Sequence, residues 1–514
     1  MRLTQGLCRA VAVKPDGVAT IDGDRIKTWS QVADRVARFA GALTALGVAP
    51  GDRVAVLSQN SDLFFEAYFA IFWAGAVIVP LNTRLTPAET LFQLDDAGVG
   101  VVLFSEEFGA AVEALRSTGS TQRLFIGLDG PGAPADRGYE ALIAAHRPAE
   151  EIARASEDLA GIFYTGGTTG LPKGVMLRHA NLSALAMNLI MHLQVDDDCV
   201  NLHSAPMFHL ADIGIFMTTM IAGTHVFVRR LDEAVMLRLI EAHGITHLFT
   251  VPAVIDRLAR HPGAASADLS SLKVMGYGGA PMPTGTYELA RARFPHVDFV
   301  QGFGMTEMGA HTFLGAKHHR PGADPEKRLS AGQPCYGYEI KIVDEDGREL
   351  PRRQVGEIVG RGDNVMAGYW NRPEETARAL RDGWMHSQDA GFMDEQGFLY
   401  ITDRLKDMII TGGENVYSIE VENAVSTHPL VLECAVIGVP DERWGERVHA
   451  VVVTREGAEL TLDEVVAHCH DRLAGYKRPR SLEVRRAPLP RSAAGKVLKV
   501  ELRGPHWADR SRGV

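Results

Sequence analysis

Apolar positions in the first 150 residues switch repeatedly between helical and strand spacing. Val32, Val36, Phe39, Leu43 and Leu46 recur three or four apart, which predicts a helix capped by Ser30 and closed by Gly47. Arg53-Val54-Ala55-Val56-Leu57 and Val101-Val102-Leu103-Phe104 are short apolar runs that read as buried strands. Thr86-Pro87-Ala88-Glu89 joins a capping box to a proline at the first helical position, a strong helix start. Residues 67–79 form the most apolar stretch but fall short of the roughly 20 residues that span a bilayer. The break at Gly75 suits a buried helix followed by a strand, so no membrane span is expected.

The alternation resumes over residues 224–300. Val226-Phe227-Val228 leads to a helix from Asp232, and Thr246-His247-Leu248-Phe249 to a helix after Pro252. Strands alternating with helices imply crossover connections and an α/β fold with largely parallel sheets. Two glycine-rich stretches, Met275-Gly276-Tyr277-Gly278-Gly279-Ala280-Pro281 and Gln301-Gly302-Phe303-Gly304-Met305-Thr306-Glu307, read as turns after strands. Ligands in open α/β sheets bind beyond the carboxyl ends of strands, where both turns belong. Phe303 can stack on a base, Thr306 can reach a phosphate, and Glu307 can hold a magnesium ion that bridges phosphates.

From about residue 330 the pattern turns to hairpins, with turns at Asp344-Glu345-Asp346-Gly347 and Asp394-Glu395-Gln396-Gly397. Thr402-Asp403-Arg404-Leu405-Lys406-Asp407 marks the expected boundary between a large domain, residues 1–404, and a small α+β domain, residues 405–514. The latter carries a second capping box at Thr461-Leu462-Asp463-Glu464. His468-Cys469-His470 falls in the helix after it, where i and i+2 diverge, so it is not expected to bind metal.

At 514 residues the chain exceeds one core, and 46% apolar with 23% charged residues is ordinary for a globular protein. A net charge of −11 argues against general nucleic-acid binding. Five scattered cysteines without metal-site spacing suit a reducing cytoplasm. Oligomeric state is not readable, and a homodimer stays open.

The densest chemical signal is Tyr164-Thr165-Gly166-Gly167-Thr168-Thr169-Gly170-Leu171-Pro172-Lys173-Gly174, in which seven of eleven residues are Gly or Thr. Glycines let backbone N–H groups close on a phosphate, threonines add hydroxyls, and Lys173 adds a point charge. This is not the Walker loop, whose lysine runs into a helix. Here Val175-Met176-Leu177 follows, more strand than helix.

The segment resembles the phosphate loop of the acyl-adenylate-forming superfamily, in its acyl-CoA synthetase branch. That resemblance implies an ATP-dependent ligase that makes acyl-AMP with release of pyrophosphate and then an acyl-CoA. Its cofactors would be ATP, Mg2+ and coenzyme A. It places Thr165, Gly166, Gly167, Thr168, Thr169, Gly170 and Lys173 on the phosphates, and Thr165 and Glu307 on the metal. Gly279, Ala280, Pro281, Gln301, Gly302, Phe303 and Thr306 match the adenine-binding and acidic motifs, with Phe303 where many relatives have tyrosine. Asp389, in His386-Ser387-Gln388-Asp389, matches the carboxylate that accepts both ribose hydroxyls, although Ser-Gln replaces Thr-Gly. Arg404 would meet the ribose and Lys406 the interdomain pivot. Gly412, Gly413 and Glu414 lie in the loop that faces the thioester step. His209, in Ala205-Pro206-Met207-Phe208-His209, would position substrate where acyl pocket and thiol tunnel meet. Lys496, in Pro490-Arg491-Ser492-Ala493-Ala494-Gly495-Lys496, would be the catalytic lysine of a mobile small domain.

No carrier segment follows Lys496, so a free thiol is the expected acceptor. Asp407-Met408-Ile409-Ile410-Thr411 holds no lysine, which weighs against luciferase-type oxidation. Asp212 could meet an amino-acid ammonium, but its apolar neighbours favour an ordinary helix start. A fatty or arylalkanoic acid is the expected substrate. The alternatives are a stand-alone adenylating enzyme that loads a carrier protein and a non-catalytic nucleotide-binding relative.

Overall fold

The computed structural model describes residues 1–118, 122–130, 134–165, 172–404, 407–412, 414–455, 458–491 and 497–508, with the backbone alone at 403, 404 and 415. Strands between Val18 and Tyr369 build two large, mostly parallel sheets. One runs in the order Gly368–Tyr369, Lys173–Arg178, Leu159–Thr165, Val77–Pro80, Arg53–Leu57, Val101–Phe104, Leu124–Gly127, Arg137–Gly138. The other runs Gln333–Pro334, Gly309–Leu314, Asp298–Met305, Val274–Gly278, His247–Thr250, Val200–His203, Thr224–Phe227, Val18–Asp22, Arg25–Thr28.

The helix Asp62–Trp73 is buried along almost its whole length, as an all-round apolar helix must be. Its Phe64, Phe65 and Phe69 join one core with Val54 and Val56 of the first sheet and Phe227 and Val300 of the second. Gly75 turns the chain at φ +69° into the strand Val77–Pro80, as the sequence implied. Asp62 and Glu66 are buried on this helix and paired with Arg25, Lys27 and Arg35. Burial pushes the Asp62 carboxyl up, but Arg25 and Lys27 outweigh it and hold it at about 2.

Residues 338–404 form an antiparallel sheet of Tyr338–Val343, Gly356–Gly362, Trp384–Met393, Leu380–Arg381 and Leu399–Arg404. Beyond it, a last sheet pairs Val431–Asp441 with Gly445–Thr454 and adds Ser481–Arg485 in parallel. Helices Ser418–Ser426, Leu462–His468 and Lys499–Trp507 accompany it. The α/β class, the hairpin-rich region after the second sheet and the α+β end are therefore as expected.

Several boundaries differ. The helix Trp29–Ala45 is capped by Thr28 in a capping box with Gln31, not by Ser30. The helix His179–Leu193 starts two residues before Asn181, whose side-chain oxygen accepts the Arg178 N–H at 2.7 Å. After His209 comes a single turn, Leu210–Asp212, and the helix proper is Gly214–Met220. Gln301 to Met305 is strand rather than turn, and the chain reverses at 306–308 into Gly309–Leu314. The stretch near Gly412 is likewise a hairpin tip between Ile409–Thr411 and Glu414–Val416. Both capping boxes, at Thr86 and Thr461, form as read.

Burial holds the imidazoles of His179, His192, His247, His311 and His319 down at about 4, against an ordinary 6.5. Between pH 4 and 6.5 the unfolded chain binds protons that the folded chain refuses, so stability rises with pH across that window and is complete above it. Each such histidine costs on the order of 1 kcal/mol per pH unit below 6.5. The melting temperature is expected to fall steeply between pH 6.5 and 4.5; a flat profile there would contradict these burials.

Candidate active site

The strands Leu159–Thr165 and Lys173–Arg178 pair antiparallel, with Thr165 opposite Lys173 and Tyr164 opposite Gly174. These strands, on either side of the phosphate-loop stretch, are the ones that the apolar runs implied. Asp96 braces one flank: the Tyr164 phenol donates to its carboxylate at 2.6 Å, the Trp370 indole to its carbonyl at 2.9 Å, and Arg372 pairs with it at 3.1 Å.

The strand Gly368–Tyr369 continues the same sheet, with Tyr369 opposite Val175. The Lys173 ammonium lies 5.2 Å from the centre of the Tyr369 ring and pairs with Glu375. The Tyr369 phenol donates to Glu307 at 3.0 Å. Burial and the Glu307 charge push that phenol's pKa far up, so it stays a donor. Lys173, Tyr369, Glu307 and Glu375 therefore form one connected cluster. Glu307 is itself buried, and its carbonyl accepts the Met366 N–H at 2.9 Å. A buried carboxylate joined through Tyr369 to a lysine suits a magnesium ion that would draw its remaining ligands from phosphates and water.

The second sheet presents the rest. Val274–Gly278 and Asp298–Met305 run parallel with Gly278 opposite Gly302, so Gly279, Ala280 and Pro281 emerge beside Gln301, Gly302 and Phe303. Gly279 turns at φ +77°, and all three residues after the strand are exposed. Gln301 is buried, accepting from the Tyr277 phenol at 3.1 Å. Phe303 meets the edge of His311 at 4.6 Å between ring centres and packs against the Ile358 and Ile401 cluster. Thr306 is half-buried at the reversal beside Glu307. The glycines leave less room than their composition suggests. A Cβ on Gly276 or Gly278 would come within 2.5 or 3.1 Å of the Phe249 ring, and one on Gly302 within 3.1 Å of Phe313.

Asp389 lies opposite Arg404 in the ladder between Trp384–Met393 and Leu399–Arg404. The Ser387 hydroxyl donates to the Ile358 carbonyl at 2.6 Å and accepts the Asp389 N–H at 3.0 Å. Gln388 adopts φ +62°, the left-handed region where glycine is at ease, and Glu357 accepts its N–H at 3.1 Å. The Ser-Gln replacement therefore costs backbone strain at Gln388 while Ser387 still anchors the segment.

His209 is half-buried at the carboxyl side of Val200–His203. Buried Asn60 steadies the approach to it: its amide donates to the His203 and Ala205 carbonyls at 3.0 and 2.7 Å and accepts the Met207 N–H at 2.8 Å. The Tyr68 phenol donates to the Met207 carbonyl at 2.7 Å. Asp212 is buried with its carboxylate on His203 Nδ1 at 2.9 Å, which occupies the one acid considered for an ammonium.

Residues 7–370 match the model of the AMP-binding enzyme family, and residues 420–496 that of the AMP-binding enzyme C-terminal domain. The chain belongs to the AMP-binding enzyme family. It is 40% identical to a feruloyl-CoA synthase from Amycolatopsis over 96% of this chain and 97% of the relative. It is 35% identical to the fatty acid–[acyl-carrier-protein] ligase ScoC of Streptomyces coeruleorubidus over 98% and 96%. Among solved structures, ATP-bound MatB from Rhodopseudomonas palustris superposes with a TM-score of 0.89 at 31% identity, covering 99% of each chain.

Within this family member, Gly166, Gly167, Thr168, Thr169, Gly170, Lys406, Gly413 and Lys496 lie outside the described residues, as does the Arg404 side chain. Gly412 turns at φ +63° and donates its N–H to the Trp444 carbonyl at 2.8 Å, while Glu414 is exposed. The sequence reading missed Tyr369, Glu375, Asn60 and Asp96. The only signal for the first two was an aromatic pair, Tyr369-Trp370, just before the helix start Pro373-Glu374-Glu375.

A phosphate at Lys173 would have to displace Glu375, with which Lys173 pairs. Both partners are about a third exposed, so the pair is worth about 1 kcal/mol or less. Glu375→Gln is expected to lower the KM for ATP by less than about fivefold with kcat little changed. A raised KM would mean that Glu375 holds the lysine in place.

Proposed function

We propose that this chain activates a carboxylic acid with ATP and passes the acyl group to the thiol of coenzyme A, with Lys173, Glu307, Asp389, Arg404 and Lys496 serving the nucleotide. The reaction class follows from the family: an AMP-forming acid–thiol ligase. The observation that carries the site is the Lys173–Tyr369–Glu307 cluster, which sets a cation and a buried carboxylate around one phenol at the phosphate hairpin.

In the first half-reaction a carboxylate oxygen attacks the α-phosphorus and the bond to the β-phosphate oxygen breaks, so pyrophosphate leaves with the electron pair. In the second, the thiol sulfur attacks the acyl carbonyl, the carbonyl–oxygen bond to AMP breaks, and the thiol proton is lost. Two anions must first meet. Lys173 and Lys496 offset that repulsion by position and charge rather than by covalent chemistry. Glu307 with Thr165 would hold magnesium, which would supply charge neutralisation on the phosphates. Asp389 accepts from the ribose hydroxyls, Phe303 stacks on adenine, and His209 positions the acyl carboxylate. The division at 404/405 lets the small domain bring Lys496 in for the first step and the Gly412 hairpin for the second.

The acid is aromatic or fatty. The buried Met207 and Phe208 and the half-buried Met305 support an apolar wall that suits an arylalkanoic or fatty acid. The resemblance to a feruloyl-CoA synthase supports the same class. Five cysteines without a disulfide support a reducing, cytoplasmic setting, and no helix among the described residues is long and apolar enough to cross a membrane. The test is pyrophosphate release across hydroxycinnamic, benzoic, fatty and dicarboxylic acids, each with coenzyme A, with an acyl-carrier protein, or with neither. Arylalkenoic or fatty acids with acyl-CoA product are expected. Turnover with the carrier protein but not coenzyme A would move the chain to the second acceptor class, and no ATP consumption with any acid would end the reading.

A further inference from the structure

Far from the nucleotide cluster in sequence, three side chains of the last sheet and last helix converge. His449 stands on Gly445–Thr454, Glu483 on Ser481–Arg485 and His506 on Lys499–Trp507. The two strands are parallel, with His449 opposite Ser481 and Val451 opposite Glu483, so His449 and Glu483 share a face. The helix reaches that sheet through buried Leu502 and through the Trp507 indole, which donates to the Gly438 carbonyl at 3.0 Å. One ligand-type atom from each of the three residues lies within 4.8 Å of the others.

His449 is 6% exposed. Its Nδ1 sits 2.8 Å from the Ser481 hydroxyl, the kind of partner that orients a metal-ligating imidazole. Its Nε2 is buried with no hydrogen-bond partner among the described residues. Leaving such a nitrogen unmet is costly, so a ligand there would relieve it. Glu483 is half-buried and lies 3.7 Å from Arg485, and the His506 ring centre is 5.0 Å from that of His449. No hydrogen bond links the three side chains to one another.

We propose that His449, Glu483 and His506 bind one divalent transition metal of the zinc class, through His449 Nε2, a Glu483 oxygen and a His506 nitrogen. Two imidazoles and a carboxylate are a recurrent zinc set. Bonds of about 2.0–2.1 Å in a tetrahedron put ligands about 3.4 Å apart, so from within 4.8 Å the set must close by up to about 1.4 Å. The exposed His506 and half-buried Glu483 have the freedom to do so, while His449 stays fixed. The ion would pin the last helix, which begins just after the Lys496 segment, to the sheet beneath it.

The test uses the full-length, tag-free chain titrated with Co2+ and then Zn2+. One equivalent of Co2+ with the intense visible absorption of four-coordinate cobalt, displaced by Zn2+ but not by Mg2+, is expected. His506→Ala, a change at an exposed position, and Glu483→Gln should each weaken binding at least roughly tenfold. His470→Ala, at an exposed histidine elsewhere in this domain, should leave it unchanged. Zn2+ should raise the melting temperature of the parent chain and of His470→Ala but not that of His506→Ala. No Co2+ uptake by the parent chain, the weak absorption of six-coordinate cobalt, or equal binding by the parent and His506→Ala each overturns the proposal.

Discussion

Alanine at position 496 is expected to lower acyl-AMP formation by on the order of 10² to 10³ while supplied acyl-AMP still reacts with coenzyme A at close to the parent rate. The two half-reactions make different demands. Adenylation brings a carboxylate up to a polyanion, so a missing cation is felt fully in that transition state. Thiol attack on a neutral acyl carbonyl calls for no such cation. The measurement is pyrophosphate exchange beside thioester formation from synthetic acyl-AMP. Equal loss in both would remove Lys496 from the role given to it.

Gly304→Ala should be as damaging from a quite different cause. A Cβ there would stand 2.1 Å from the Gly309 carbonyl oxygen and 2.6 Å from the Ala310 Cα, backbone atoms that cannot rotate away. The hairpin would have to open at the irregularity beside Phe303, where the register already shifts. Phe303, Thr306 and Glu307 all ride on that hairpin. Overpacking costs about 1–3 kcal/mol, which a 514-residue chain can survive. The activity is expected to drop by about 10² or more, because displacements near 1 Å at a reacting centre cost that much. A thermal melt shows whether the variant folds, and pyrophosphate release shows whether it works. A folded variant within roughly threefold of parental activity would refute the close-approach account.

What could be read from the sequence tracks how local each feature is. The phosphate hairpin was legible because Ile162-Phe163-Tyr164 and Val175-Met176-Leu177 flank it with strand-like runs. Asp389 was singled out by its motif alone; the structure puts it opposite Arg404, with Gln388 beside it bent into the left-handed region. The stretch Gln301 to Glu307 misled because glycine usually announces a turn. Here Gly302 and Gly304 serve close packing against Phe313 and the Gly309 backbone within a strand. The Tyr369–Glu307 bond and the Asn60 clamp join residues 62 and 147 positions apart. No period or spacing encodes such a contact. The His449, Glu483 and His506 grouping escaped for the same reason, while the adjacent-looking His468 and His470 belong to separate contacts, with Thr427 and Asp471.

The short strand Gly368–Tyr369 has one more implication. It is hydrogen-bonded to the strand that carries Lys173, and its tyrosine grips Glu307 on the far side of the nucleotide cluster. Cation and acid are thus rungs of a single mechanical linkage, so lengthening the chain anywhere in residues 367–372 would displace Lys173 and Glu307 together.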